Sequence, residues 1–211
     1  MSVDPQRTEP REFADDELLR SSAAGDRDAF VTLFHRYQAM VYRFARQMSG
    51  RTDTAEDVTQ DVFIALMQHG DRFDPRIGAF STYLYGMARN LVLRRLRHRG
   101  ARIEVDVALF EANPPRALVA EGDPVEDLAR AERVRALRRA ILALPVHYRE
   151  VVVLCELNDV SYEEAARVIS CPIGTIRSRL NRAKRVLGEK IRAREGSADV
   201  LPRVPSPRVL V

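Results

Sequence analysis

Two patterns overlap between Ile173 and Leu187. Ile176, Leu180, Ala183 and Leu187 recur at steps of four, three and four, and Thr175, Arg177, Ser178, Arg179, Asn181, Arg182 and Arg185 fall between them. On a helix those steps separate an apolar stripe from a face of guanidinium, amide and hydroxyl groups. Arginine can bridge O6 and N7 of guanine and asparagine can pair with an adenine edge, so this face could read a major groove at roughly 1–3 kcal/mol per good pair. Just upstream, Ser161-Tyr162-Glu163-Glu164 forms a capping box that opens a short helix through Ala165, Ala166, Val168 and Ile169. Ser170-Cys171-Pro172 interrupts it, with Pro172 at or beside the start of the next helix. The unit reads as a helix-turn-helix. A basic helical hairpin with no DNA role has the same local pattern.

A second group has different chemistry. Phe80, Tyr83 and Tyr85 stand at the start of a helix whose later turns carry Arg89, Asn90, Arg94, Arg95, Arg97 and Arg99. Aromatic faces beside arginines suit unstacked bases, at roughly 1–3 kcal/mol per stacked base. Core packing is the expectation for Leu84 and Tyr85, while both roles stay open for Phe80 and Tyr83. A third group, Asp57, Gln60, Asp61 and Ile64, shares the face of a helix opposite Val58 and Val62. It fits a solvated surface, and it also fits docking on a basic partner helix.

Signatures of catalysis are lacking: there is no glycine-rich phosphate loop, no G-x-S-x-G and no H-E-x-x-H. His147 and Glu150 lie one turn apart without a third ligand, so a structural role is expected and no metal or cofactor is predicted. Cys155 reads as core and Cys171 as a turn residue.

The elements that must position these groups are helical. Phe30, Phe34, Tyr37, Val41, Phe44 and Met48 step by four and three along one stripe, after a short helix that ends near Ala24. Gly25-Asp26 can end the first helix and cap the second, and Ser49-Gly50 can end the second. Asp53 to Glu56 reads as a capping box for a helix to about Gln68, with Val58, Val62, Ala65 and Leu66 inward. A loop over 69–79 follows, and Ser81 is expected to cap the aromatic-arginine helix. Val134, Leu137, Ile141 and Leu144 form another stripe, ended by Pro145, and a helix over about 146–157 turns Val151, Val152 and Cys155 inward.

The expected class is all-α. Two small helical domains, 13–100 and 131–195, are joined by a flexible acidic linker at 101–130 and followed by a flexible tail at 196–211. Charge follows this division. The balance is −4 over 1–61, +6 over 62–102, −6 over 103–132 and +6 over 173–195, although the 211-residue chain as a whole carries only +4. Two basic blocks around an acidic one suggest two surfaces for a polyanion joined by something that avoids it. The longest apolar run is seven residues, Ala140 to Val146, too short for a membrane span. A polar N-terminus and two cysteines point to a cytoplasmic protein.

Three blocks carry a family resemblance: Ala55-Glu56-Asp57-Val58-Thr59-Gln60-Asp61-Val62-Phe63, then Phe80-Ser81-Thr82-Tyr83-Leu84-Tyr85-Gly86-Met87-Ala88-Arg89-Asn90, then Gly174-Thr175-Ile176-Arg177-Ser178-Arg179-Leu180-Asn181-Arg182-Ala183-Lys184. In this order and spacing they resemble the bacterial extracytoplasmic-function (ECF) sigma factors over about 15–191. The resemblance implies a promoter-specificity subunit of RNA polymerase, serving a stress- or signal-responsive regulon and not itself an enzyme. It implies that Asp57, Gln60, Asp61 and Ile64 dock on the coiled coil of the largest polymerase subunit. Phe80, Tyr83, Arg89, Asn90, Arg94, Arg95 and Arg97 would melt the minus-ten element and hold a flipped base. Thr175, Arg177, Ser178, Arg179, Asn181 and Arg182 would read the minus-thirty-five element as duplex. The linker would thread the basic RNA path of the polymerase. The implied partners are core polymerase, at the coiled coil and flap, promoter DNA in duplex and single-stranded form, and an anti-sigma factor. Three positions depart from the family: Tyr83 replaces a usual Trp, Arg94 a common Asp and Ser170 a common Gly.

Three other readings compete. A self-standing helix-turn-helix repressor would bind an operator without polymerase, and it accounts for 161–187 but leaves the two N-terminal constellations without purpose. A nucleic-acid enzyme would need paired acids or metal ligands, and an interaction module would only antagonise polymerase.

Overall fold

The computed structural model describes residues 14–98 and 124–198. The described residues form eight α-helices, one 3-10 turn and no strand. Four helices make the N-terminal bundle: α1 (Asp15–Ala23), α2 (Arg27–Ser49), α3 (Thr52–His69) and α4 (Phe80–His98). Asp26 caps α2 through its carboxylate, which accepts from the amides of Asp28 and Ala29. At the other end Gly50 takes a left-handed φ of 75° and terminates α2, as expected from Ser49-Gly50. The long stripe of α2 sinks progressively. Phe30, Phe34 and Tyr37 are half-buried, whereas Val41, Phe44 and Met48 are fully enclosed by α3 and α4. Val58, Val62, Phe63 and Leu66 of α3, with Leu84, Tyr85, Ala88 and Val92 of α4, complete this core.

Two caps differ from the sequence expectation. α3 begins at Thr52 with Arg51 at the cap position, two residues before the expected cap Asp53. The Asp53 carboxylate instead pairs with the Arg51 guanidinium at 3.1 and 2.7 Å and accepts from Thr54, and Glu56 lies exposed. These partners hold the Asp53 carboxyl well below the usual range, the Arg51 hydrogen bond most of all. α4 starts at Phe80, so Ser81 lies inside the helix and does not cap it. The 69–79 loop also contains a 3-10 turn, Gly70–Arg72.

The C-terminal domain comprises α5 (Pro124–Leu142), α6 (Val146–Cys155), α7 (Tyr162–Ile169) and α8 (Ile173–Ala198). α5 reaches back to Pro124, so the last seven residues of the expected linker are helical. Proline suits a first helical position, where its missing N–H is not needed. The acidic 101–123 segment and the tail beyond 198 lie outside the described residues, and 196–198, expected to belong to the flexible tail, continue α8. The α5 stripe is only half buried: Ile141 and Leu144 are in the core, but Val134 and Leu137 are each 41% exposed. The expected capping box of α7 is present, with Ser161 and Glu164 bonding reciprocally. Ile176, Leu180, Ala183 and Leu187 of α8 are all buried, as their spacing predicts.

The two domains pack against each other. α4 lies on α7, and the C-terminal part of α2 lies on α5 and α6. Gly50 sits so close to α5 that a Cβ there would fall 2.8 Å from Leu142 Cδ1.

Candidate nucleic-acid interface

The helix-turn-helix is formed by α7, the turn at Ser170 and Cys171, and α8. Ser170 occupies the left-handed region at φ 58°, which explains why a Gly suits this turn. Arg177, Ser178, Asn181 and Arg182 project to solvent along the N-terminal half of α8, and Thr175 is half-buried. The Ser178 hydroxyl donates to the Thr175 carbonyl at 3.1 Å, which turns it back on the helix. Arg179 differs from its neighbours. It lies beside the buried Ile176 and Leu180, and its Nη1 donates to Glu150 Oε1 at 3.3 Å.

On α4, Asn90, Arg94 and Arg97 are exposed and Tyr83 is half-buried. Phe80, for which core packing and base stacking both stood open and which the resemblance assigned to the minus-ten strand, is 3% exposed and packs in the core. Its ring is held edge-on by Tyr37 and Phe73, with centroids 5.2 and 5.1 Å away. Phe80 therefore supports Tyr83, whose ring tilts on Phe73 at 5.6 Å. Arg89 is not on the open face either, because its Nε donates to Glu150 Oε2 at 2.8 Å. Arg95 turns toward α3 and donates to Asp61 Oδ2 at 2.8 Å, with its Nη1 buried and lacking a partner. Beside Tyr83 and Asn90 lies a cavity of about 400 Å³, walled by Phe73, Gly78 and Thr82 and closed on the far side by Arg167 and Ser170.

The acidic face of α3 is present as predicted, with Asp57 and Gln60 exposed and Ile64 44% exposed. Met67, one turn further on, is 63% exposed and extends the same face. Its place ten residues after Asp57 is legible from helical spacing, and the sequence reading missed it.

Arg149 was also missed, and Glu150 was expected to be structural only as a neighbour of His147. Both are buried, at 1% and 3% exposure, in a helix whose other residues are mostly apolar. Arg149 donates to the carbonyls of Met48, at 2.7 Å, and Leu144, at 3.1 Å, as well as to that of Leu142. Burial lowers its pKa from the ordinary arginine value. The usable signal was two adjacent charges inside the run Val146–Cys155, which must find partners when the helix is enclosed on all sides. Cys155 is half-buried, and burial pushes its thiol up to about 11, so it is a poor nucleophile. Among the described residues no group of three or more His, Cys, Asp and Glu side chains could hold a metal ion, and no helix is long and apolar enough to cross a membrane.

A two-domain helical chain with one basic helix in each domain and a helix-turn-helix at the end defines a class of DNA-directed regulator. Residues 33–102 match Sigma-70 region 2 and residues 134–187 match Sigma-70 region 4. The chain is 32% identical over 178 residues to the ECF RNA polymerase sigma factor SigW of Bacillus subtilis, covering 82% of this chain and 95% of that one. It is 33% identical over 184 residues to the ECF RNA polymerase sigma-E factor of Escherichia coli K12, covering 85% and 95%. Among solved structures it is similar to CnrH in complex with the cytosolic domain of CnrY, with a TM-score of 0.61, 25% identity and coverage of 86% and 99%. It is also similar to the sigma factor RpoE in complex with the anti-sigma factor NepR from Bartonella quintana, with a TM-score of 0.58, 25% identity and coverage of 77% and 96%. The chain belongs to the ECF sigma factors, which are promoter-specificity subunits of RNA polymerase rather than catalysts. The region 2 match accounts for the N-terminal constellations that a self-standing repressor leaves unexplained.

Proposed function

We propose that this chain, itself not an enzyme, acts in the cytoplasm as the subunit that directs core RNA polymerase to the promoters of a stress- or signal-responsive regulon. The observation that carries this reading is the pairing of a region 2 bundle and a region 4 helix-turn-helix in one chain, each with its own exposed arginine face. Asp57, Gln60, Asp61 and Ile64, with Met67, would dock on the coiled coil of the largest subunit, and the C-terminal domain would meet the flap. Tyr83, Asn90, Arg94 and Arg97 would engage the separated strand of the minus-ten element, and a base flipped into the cavity beside Tyr83 and Asn90 would be read there. Arg177, Asn181 and Arg182 would read the minus-thirty-five duplex, with Thr175 and Ser178 beside them. Arg89, Arg95 and Arg179 join these faces only once released from their carboxylate partners. An anti-sigma factor would cover the same faces.

Two modest DNA sites held on one polymerase raise each other's effective concentration, so neither needs to bind tightly alone. Run-off transcription with core polymerase over a genomic promoter library tests the reading. The expected result is defined start sites that depend on this chain, and RNA output unchanged by its addition would refute it. In the same system Arg182→Ala should weaken use of the upstream element while the chain stays bound to polymerase.

A further inference from the structure

We propose that α1 is a brace for the strand-holding ring of the minus-ten site, in which Asp15 positions Tyr83 through Tyr37 and Phe80. This rests on the assignment of α4 and the loop before it to the separated strand. α1 itself is a poor DNA contact: its first turn is acidic, and its one basic residue, Arg20, pairs with Asp16. Its place in the bundle gives it another task. Leu18 and Leu19 are buried, and the helix lies against α2 and against the 3-10 turn that opens the 70–79 loop.

At the start of that loop the contact is direct. Leu19 packs so closely on Gly70 that a Cβ there would fall 2.9 Å from Leu19 Cδ1. The Phe73 amide donates to the Gly70 carbonyl at 3.2 Å, which closes the turn and sets where the Phe73 side chain departs. Phe73 then meets Tyr83, with ring centroids 5.6 Å apart.

At the end of the loop the contact is relayed. The Tyr37 hydroxyl of α2 donates to the Asp15 carboxylate, which also accepts from Arg36. Burial, and then the bond to Asp15, push the Tyr37 phenol above its ordinary pKa, so it stays protonated and keeps donating. With its hydroxyl tied, the Tyr37 ring is held edge-on to Phe80 at 5.2 Å. Phe80 passes this on to Tyr83, whose ring lies 6.4 Å away at an interplanar angle of 28°. Tyr83 is thus supported by Phe73 on one side and Phe80 on the other, and both supports trace back to α1.

Stacking of one base on one ring is a weak interaction, and ordering a loose ring on contact offsets much of it. A ring fixed beforehand by packing and hydrogen bonds avoids that loss. The brace should therefore govern strand separation, where Tyr83 works. It should leave polymerase docking through α3 and duplex reading through α8 unchanged, since those faces lie on other helices.

Three substitutions in the full-length chain test this. Tyr37→Phe keeps the ring against Phe80 and removes the hydroxyl that ties it. Asp15→Ala removes the acceptor, and Asp15→Glu restores a carboxylate. Each chain is assembled with core polymerase on a promoter recovered by run-off transcription and carrying 2-aminopurine in its minus-ten element. The fluorescence rise of the unstacked base reports the rate of opening. Tyr37→Phe and Asp15→Ala should open the promoter about fivefold more slowly than the parent, the factor expected from losing one hydrogen bond. Asp15→Glu should recover most of the parent's rate. Retention on core polymerase and binding of closed duplex should stay within about twofold of the parent. Circular dichroism identifies a variant that fails to fold, and the other then carries the test. Opening at the parent's rate by the folded variants would overturn the brace. Equal losses in retention, duplex binding and opening would overturn it too, because the substitutions would then only loosen the bundle. A parent chain that opens no promoter would refute the sigma reading itself, whereas a parent that opens promoters beside unaltered variants removes only the brace.

Discussion

Arg149 Nη1 lies 2.7 Å from the carbonyl of Met48, 101 positions earlier in the chain, and this bond joins the two domains inside a buried interface. The guanidinium has no carboxylate among its hydrogen-bond partners. It answers carbonyls near the C-terminal ends of α2 and α5, where unpaired acceptors and the negative end of the helix dipole converge. A planar fork of five donors can serve three acceptors at once, and an ammonium on a single stem cannot reach them in the same directions.

Arg149→Met should therefore lower stability by about 3 kcal/mol, since it leaves three buried carbonyls without their donor. Arg149→Lys should recover less than half of that loss. Urea unfolding monitored by circular dichroism measures both, and a loss below about 1 kcal/mol for Arg149→Met would show that the carbonyls find other donors.

Ser170 stands in the left-handed region at the end of α7, with its amide bonded to the Arg167 carbonyl at 3.2 Å. A Cβ in that region costs roughly 1–2 kcal/mol, and part of this is returned because glycine loses more chain entropy on folding. Ser170→Gly should raise stability by about 0.5 kcal/mol, a rise of one to two degrees in Tm for a chain of this size. Ser170→Val should lower it by a larger amount, because a β-branched residue tolerates φ near 58° poorly. Scanning calorimetry of the three chains gives the order, and any other order would place the strain elsewhere.

Elements set by nearby residues were legible in the sequence. Ser161 and Glu164 cap α7 because the capping box closes within four positions. Ile176, Leu180, Ala183 and Leu187 are buried because one helix face is all that their spacing requires. Expectations failed where a neighbour outside the local pattern intervened. Arg51 captured the Asp53 carboxylate and the helix began two residues early. Phe80 was drawn into the core by Tyr37 and Phe73, which come from other elements. The positions of Arg89, Arg95 and Arg179 on basic helix faces were readable, but their carboxylate partners depend on how helices and domains meet. No periodicity encodes that meeting.

Glu164 gives the stability of this fold a predictable acid limb. Its carboxyl lies below the ordinary glutamate value, chiefly through the Ser161 hydroxyl, with smaller contributions from the Ser161 amide, the Thr82 hydroxyl and the charge of Arg167. A carboxyl depressed on folding stabilises the native state fully above its unfolded value, about 4.3 for glutamate. That contribution is lost as pH falls through the lower folded value. Glu164→Gln should cost stability at pH 7 and progressively less toward pH 3, so that the parent and variant curves converge in acid. Urea midpoints across that range check it, and a gap that stays constant with pH would mean that the side chain acts by packing alone.

Asp61 stands between two roles, because it faces outward on the acidic surface of α3 and also accepts from Arg95 of α4. The pair is partly exposed, with side chains 40% and 24% accessible, so its own contribution to stability should be no more than about 0.5 kcal/mol. Asp61→Asn should accordingly fold nearly as well as the parent and yet lose retention on immobilised core polymerase severalfold, as should Gln60→Ala. Arg95→Gln separates the roles. If Asp61 works by meeting polymerase, freeing it from Arg95 leaves retention intact or improves it. If it worked by holding Arg95 in place, Arg95→Gln would weaken retention as much as Asp61→Asn does. The first pattern is expected, because Asp57, Gln60 and Ile64 share the exposed face with Asp61 while Arg95 lies behind it, half-buried against α3.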